Sequence, residues 1–347
     1  MAWGVGLIGA GPGVAALHAP TLARVADDFR LVHVADSGSG RAAAIAAAHG
    51  ARASSDVQTL LDDEDVDVVG ICSPPELHAA HIRAALRAGR RIILCEKPIA
   101  TTADEAWDVL RECADAGALV VVGTNHLFDP LWARVKRHID AAEERVRTVS
   151  VTMALAPNAR YHALVTGEES TPTTAARPPL DFSDPQLCAR VVRQLVVGLA
   201  VHDLPLVRDL LPGFEEIVHA RAIPPIGLDI GLRTGGGLVR LSAVMLPDGA
   251  DTLWRVSVGM GRDRVDLDFP PPFVHAGSAR ATVRDGSGRI TTFPVEDIDG
   301  YEAEWRALAA LARGDTTMEY AELLADAEEA IAIADAAAEA VRAGMTS

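Results

Sequence analysis

Lysine is nearly absent from this chain. Of its 32 basic residues, only Lys97 and Lys136 are lysines. Where a chain relies this heavily on arginine, a retained lysine hints at a position that needs an amine. Lys136 has the setting of an ordinary helix-surface residue, so Lys97 is the one to follow. Cysteine is sparse as well. Cys72, Cys95, Cys113 and Cys188 form no Cys-x-x-Cys pair, and a chain of 347 residues has no need of disulfide staples. That fits a reducing, cytoplasmic setting. Positive charge is in deficit: 32 Lys and Arg against 48 Asp and Glu gives 32 − 48 = −16. Such a chain repels a phosphate backbone, which argues against nucleic-acid binding by a general basic face. A small anionic ligand in a local pocket is still allowed. The first basic residue is Arg24, so the charged start of a secretory signal is missing and none is expected. No apolar run approaches the ~20 residues of a membrane span. There is no internal repeat and no low-complexity tail.

What is present is ordinary for a folded protein: 49% hydrophobic and 23% charged residues, over a length that suggests about two domains. Residues 3–8 predict a short buried strand, followed by a Gly-rich turn and helical spacing over 14–26. Residues 30–35 predict a second strand ending at Asp36, and an Ala-rich helix follows at 40–49. Further short strands fall at 66–72, 91–95 and 119–123, separated by helices at 76–88 and 103–116. This alternation predicts an α/β domain with a parallel sheet and helices on both faces.

After Asn125 the texture changes. A helix at 130–145 leads into a strand at 148–155, and residues 156–184 are irregular and rich in Pro and Thr. Asp184-Pro185 marks the N-cap and first-turn proline of a helix running to about His202. From 215 to 293 the pattern is of strands broken by turns such as Pro247-Asp248-Gly249 and Asp285-Gly286. Runs 238–246 and 253–260 alternate enough to bury one face. The second half is therefore α+β with a mostly antiparallel sheet, and helix returns at 301–313 and 319–342. The expected domains are 1–125, 126–300 and a pair of closing helices at 301–347 that packs back on the first.

Gly9-Ala10-Gly11-Pro12-Gly13 follows a strand and opens a helix. Glycines there let the backbone turn tightly and approach a pyrophosphate at a helix N-terminus. Asp36 closes the second strand and is placed to accept hydrogen bonds from a ribose 2′-hydroxyl. Val14 holds the position usually given to a third Gly or Ala, so the fingerprint is imperfect. Asp36 would repel a 2′-phosphate, which favours NAD over NADP, with Arg41 as the counter-argument.

Cys95-Glu96-Lys97-Pro98 lies just past the C-terminal end of a predicted parallel strand, the edge where open α/β sheets bind ligands. A lysine held there can hydrogen-bond a substrate hydroxyl and help move its proton. Glu96 is placed to fix that lysine and tune its charge, and Pro98 keeps the turn extended. The plainer reading is a surface salt bridge beside a turn proline.

These segments, together with Ser73-Pro74-Pro75-Glu76-Leu77-His78, Ala88-Gly89 and Gly123-Thr124-Asn125-His126, resemble the Gfo/Idh/MocA oxidoreductases. The resemblance continues into the helix at 301–314 and covers nearly the whole chain. It implies an N-terminal Rossmann domain, a C-terminal α/β domain with an open antiparallel sheet, and a dimer or tetramer formed through that sheet. It also implies a nicotinamide cofactor, substrates that are mostly sugars, cyclitols or nucleotide-sugars, and a catalytic role for Lys97. The cofactor set expected on this basis is Gly9, Gly11, Pro12, Gly13, Asp36, Ser73, Pro74, His78, Glu96, Lys97 and Asn125.

Members of this family usually place a second catalytic group on a helix as Asp-x-x-x-His, with both side chains on one helical face. Here His202 is in place, but Gly198 stands where the acid belongs. Asp203 projects roughly 100° away on an ideal helix and is a poor substitute. In one reading His202 is the general acid/base, near its reference pKa of ~6.5, with Gln194 or a substrate group in place of the acid. In the other it is a structural histidine. Arg190 and Arg193 are candidates for a substrate carboxylate or phosphate, or plain surface arginines. His126 and Tyr161 are further substrate candidates, the latter in a stretch that has the composition of a lid or an oligomer contact. His78 and His81 lack the additional ligands a metal needs, and no metal is expected.

The leading expectation is an NAD(P)-dependent oxidoreductase of a sugar, cyclitol or related polyol. Two alternatives stay open: a cofactor-binding sensor without turnover, and a hydrolase or epimerase that uses NAD with no net redox change.

Overall fold

The computed structural model describes residues 2–142, 144–167, 180–246 and 252–344. The expected turn Pro247-Asp248-Gly249 and part of the Pro- and Thr-rich stretch lie outside the described residues. The chain divides into two compact units, Met1–Phe128 with Tyr301–Glu328, and Asp129–Gly300 with Glu329–Ser347.

In the first unit, β1 (Trp3–Ile8) is followed by a π-helical turn (Val14–His18) that runs into α1 (Ala19–Arg24). Then come β2 (Phe29–Ala35), α2 (Arg41–His49), β3 (Arg52–Ser54), α3 (Val57–Leu61) and β4 (Val68–Ile71). A 3₁₀ turn (Pro75–Leu77) opens α4 (His78–Arg87), followed by β5 (Ile92–Cys95), α5 (Ala103–Asp115), β6 (Leu119–Val122) and α6 (Asn125–Phe128). β3 and α3 were not anticipated, because three and five residues are too few to show a period. The six strands form one sheet in the order β3-β2-β1-β4-β5-β6. Their pairings are parallel. This is the doubly wound Rossmann order, in which ligands bind where the strand order reverses, between β1 and β4.

Alternate residues of each strand face opposite sides of the sheet, and two apolar clusters result. Leu7, Val34, Val68, Leu94 and Val121 pack on one side with Trp305 and Leu308. Ile8, Ala35, Val69, Ile93 and Val120 pack on the other with Ile82 and Val109. Trp305 is fully buried and meets the Phe29 ring edge-on, with centroids 5.2 Å apart.

The second unit begins with α7 (Pro130–Ala141), β7 (Thr148–Leu155), α8 (Asn158–Thr166) and α9 (Pro185–Gly198). A 3₁₀ turn (Ala200–His202) and α10 (Leu204–Leu210) lead to β8 (Phe214–Ala222), β9 (Gly227–Thr234), β10 (Gly237–Met245), β11 (Leu253–Gly259), β12 (Arg264–Asp268), β13 (Arg280–Arg284) and β14 (Ile290–Phe293). α11 (Gly300–Arg313) and α12 (Tyr320–Arg342) close the chain. The eight strands order as β14-β13-β12-β11-β7-β10-β9-β8. Among the described residues, the β7–β10 pairing of this sheet is parallel and the other pairings are antiparallel. β7 and β11 alternate buried with less buried residues, so one face of the sheet is covered. On other strands Val218 and Leu238 remain exposed.

Two local expectations need correction. The stretch after β7 is not wholly irregular, since α8 occupies Asn158–Thr166; its weak amphipathic pattern hid it. The helix starting at Pro185 does not reach His202 as one α-helix but ends at Gly198. Gly198, a poor helix former, is its last residue, and Leu199 leaves the helical conformation with φ −122°; Pro205 sits in the first turn of the next helix, α10.

Candidate active site

The register aligns the ends of five strands. Ala35 pairs with Ile8, Ile8 with Ile71, Ile71 with Cys95, and Cys95 with Val122. The residues one step further, Asp36, Gly9, Cys72, Glu96 and Gly123, therefore emerge side by side along one edge. Adjacent strands lie ~4.8 Å apart, so separate motifs become neighbours. Gly9, Gly11, Pro12, Gly13, Asp36, Ser73, Pro74, Glu96 and Lys97 fall in the turns of this edge, and Asn125 and His126 open α6 just past the end of β6.

Gly9 has φ +112°, and a Cβ there would lie 2.5 Å from the Cys72 carbonyl oxygen. Gly11 is different: no atom lies within 4 Å of where its Cβ would be, so the space above the turn is open. Gly13 starts the helical turn with φ −63°. Asp36 accepts hydrogen bonds from the N–H groups of Gly38 (2.7 Å) and Ala42 (3.1 Å) and from the Ser39 hydroxyl. The Ser39 bond above all holds its carboxyl below the usual range. Asn125 is buried, and its Oδ1 has no hydrogen-bond partner. An open glycine turn, an ionised acid at the end of β2 and an orphaned amide oxygen along one edge fit a dinucleotide.

His78 is buried, with Nδ1 2.7 Å from the Pro98 carbonyl and Nε2 2.8 Å from the Ser73 carbonyl. Both ring nitrogens are thus engaged in tying the loop after β4 to the loop after β5. Ser73 Oγ lies 2.9 Å from His81 Nδ1. Pro98 follows a cis peptide bond. Lys97 is half-buried, and its backbone N–H donates to Glu96 Oε2 at 3.3 Å. Burial lowers the Lys97 pKa, and the Glu96 charge opposes that shift.

One group in this unit was missed from sequence. His18 Nε2 lies 2.8 Å from Glu96 Oε1, and a Glu304 oxygen completes a cluster whose donor atoms all lie within 4.8 Å of one another. His18 and Glu304 are buried. This is the single metal-type grouping among the described residues. Its histidine nitrogen and Glu96 oxygen engage each other, as in an ion pair. Residue 18 lies on the second turn after the glycines, a position whose histidine gave no signal on its own.

The remaining candidates belong to the second unit. His202 ends the 3₁₀ turn, with its ring edge-on to Trp254 and centroids 5.6 Å apart. Asp203 is fully buried, and its Oδ2 accepts the Trp254 indole N–H at 2.9 Å. Arg190, Gln194 and Gly198 line the exposed face of α9. A side chain at 198 would meet nothing within 4 Å. Arg193 donates to Asp335 at 2.7 Å. Tyr161 is buried on α8; its hydroxyl accepts the Ala156 N–H at 3.0 Å and contacts Thr252 Oγ1. That is the bonding of a structural tyrosine.

Comparison with known proteins decides the family. Inositol 2-dehydrogenase 2 of Saccharopolyspora erythraea is 32% identical over 279 residues, which span 80% of this chain and 68% of the relative. The chain belongs to the Gfo/Idh/MocA oxidoreductases. Residues 3–124 match that family's model, described as an oxidoreductase family with an NAD-binding Rossmann fold. A second member, the inositol 2-dehydrogenase of Mycolicibacterium smegmatis, is 30% identical over 335 residues, 86% of this chain and 89% of its own. The Gfo/Idh/MocA fold is also shared with a 3-ketoreductase from Actinomadura kijaniata, solved with NADP and TDP-benzene. The TM-score is 0.73 at 19% identity, over 96% of this chain and 97% of that one. No helix among the described residues is long and apolar enough to cross a membrane.

Proposed function

We propose that this oxidoreductase is an NAD-linked dehydrogenase of a cyclitol or closely related polyol. Lys97 carries the reading: a half-buried amine on the strand-end edge, beside Glu96 and in the row that holds the glycine turn. The two relatives named inositol 2-dehydrogenases support the substrate class. Asp36 supports NAD, because an ionised carboxylate there opposes a 2′-phosphate.

Bound nicotinamide supplies the hydride acceptor or donor. Gly9, Gly11 and Gly13 let the backbone approach the pyrophosphate, and Asp36 holds the adenosine ribose. Asn125 offers its orphaned Oδ1 to cofactor or substrate. The Lys97 ammonium donates to the substrate oxygen and polarises it. His202 exchanges the hydroxyl proton as the C–H hydride leaves. Arg190, Gln194 and His126 are the candidates for substrate contact.

Four free cysteines and the absence of a membrane-length helix among the described residues support a cytoplasmic setting. The exposed Val218 and Leu238 beside Thr148, His219 and Arg240 on the second unit's sheet support a homodimer or homotetramer through that face.

The test is Lys97→Met, assayed with myo-inositol, other inositols and keto-sugars. Turnover is expected to fall by roughly 10²–10⁴-fold while NADH binding is retained. Unchanged turnover would remove Lys97 from the chemistry. If no polyol gives net turnover and dinucleotide stays bound through gel filtration, the non-redox alternative takes precedence.

A further inference from the structure

Lys97 has a chain of partners behind it, the half-buried Glu96 and the buried His18. His18, 2% exposed, stands on the π-helical turn with its Nε2 2.8 Å from Glu96 Oε1. Glu96 precedes Lys97, and its other oxygen receives the Lys97 backbone N–H. The groups facing His18 are Glu96 from the β5 loop, Cys72 from the end of β4 and Glu304 from α11, with the Trp305 ring edge-on at 6.2 Å. Those facing Glu96 are His18, Lys97, His78 and the Glu304 carboxyl from α11, with Cys72 and Cys95 alongside. Lys97 is answered by Glu96.

A buried carboxylate is stable only when hydrogen-bonded or paired. Burial opposes the Glu96 charge most strongly, but the His18 hydrogen bond and charge, together with Lys97 and His78, outweigh it and keep the carboxyl below its ordinary range. Burial also works against a charged His18, but Cys72 and Glu96 hold its proton affinity well above the histidine norm. The ring therefore keeps a proton to donate.

We propose that His18 is a positioning residue acting on Lys97 through Glu96: its hydrogen bond keeps Glu96 ionised, and that carboxylate keeps Lys97 an ammonium. This rests on the reading of Lys97 as the group that polarises the substrate oxygen. Without His18, Glu96 loses its strongest partner, its proton affinity rises, and the counter-charge it presents to Lys97 weakens.

The scarcity of lysine makes the test direct. Full-length protein labelled with ¹³C-lysine shows two lysine side chains, and Lys97→Met assigns them. In His18→Leu the Lys97 titration midpoint is expected to drop by about one pH unit, and the alkaline limb of kcat with myo-inositol to move down with it. His18→Gln, which keeps an N–H donor, is expected to recover part of the shift, while Lys136 stays fixed. A purely structural role would lower yield or stability without moving the Lys97 midpoint, and a fixed midpoint in a folded variant overturns the inference. Should both His18 variants fail to fold, Glu96→Gln removes the same charge; an unmoved Lys97 midpoint there overturns it equally. Turnover retained in Lys97→Met sinks the function assigned to Lys97. Turnover lost in that variant, with Lys97 unmoved in the His18 variants, sinks the role of His18 alone.

Discussion

Gly9 and Cys72 approach so closely that a Cβ at residue 9 would lie 2.5 Å from the Cys72 carbonyl oxygen. The other neighbours of that Cβ are backbone too, and Gly9 has φ +112°, so neither a rotamer change nor a small dihedral shift relieves the clash. Gly11 faces open space and has no such constraint. The two glycines should therefore fail differently. Gly9→Ala is expected to destabilise the fold by about 1–3 kcal/mol or more, visible as a lower melting temperature. Gly11→Ala should stay within ~0.5 kcal/mol of wild type but weaken NADH binding at least about tenfold. Equal melting losses in the two variants would show that the turn is not shaped around a ligand.

Asp36 is both a turn residue and the proposed ribose ligand. Its bonds to Gly38, Ser39 and Ala42 hold the loop between β2 and α2. Titration with NADH and with NADPH, followed by energy transfer from tryptophan, should give tighter NADH binding in the wild type. Asp36→Asn should narrow the difference by weakening NADH and relieving repulsion of NADPH, at a stability cost of ~1 kcal/mol from the altered turn. Tighter NADPH binding in the wild type would overturn the Asp36 argument and turn attention to Arg41.

Much of the first unit was legible because its signals are local. A glycine turn between strand and helix, an acid at a strand end and a Glu-Lys-Pro turn each fit within a few residues. What could not be read was the meeting of distant segments. The contact of His18 with Glu96 spans 78 residues, and Glu304 arrives from α11. Neither contact leaves a periodic trace. His78 had a motif's position, but only the structure shows both of its nitrogens held by carbonyls. At His202 the i, i+4 argument assumed a continuous helix, whereas α9 ends at Gly198, whose poor helix propensity was the local signal.

The His18 shift also sets a pH dependence for stability. Its folded pKa lies well above the ordinary value, with Cys72 and Glu96 overcoming the effect of burial. A raised folded pKa contributes stability that is fully present below the unfolded value of ~6.5 and is lost as pH rises through the folded one. The stability difference between wild type and His18→Leu, measured by urea unfolding, should be largest on the acidic side of that window and shrink toward alkaline pH. A difference that grows with pH would reverse the sign and contradict the pairing with Glu96.

Trp254 seats the turn that carries His202. Its indole N–H donates to the buried Asp203 at 2.9 Å, and its ring meets His202 edge-on at an interplanar angle of 84°. Trp254→Phe removes the donor and keeps a ring. Losing a hydrogen bond to a buried charged group costs about 1.5–3 kcal/mol, so a clear drop in melting temperature is expected. Turnover should fall less than in His202→Asn, where loss of the proposed acid/base costs roughly 10²–10⁴-fold. If Trp254→Phe matches the wild type in stability, the indole bond does not hold the turn. If His202→Asn matches Trp254→Phe in turnover, His202 is a packing residue, and the proton must leave by another group such as Lys97.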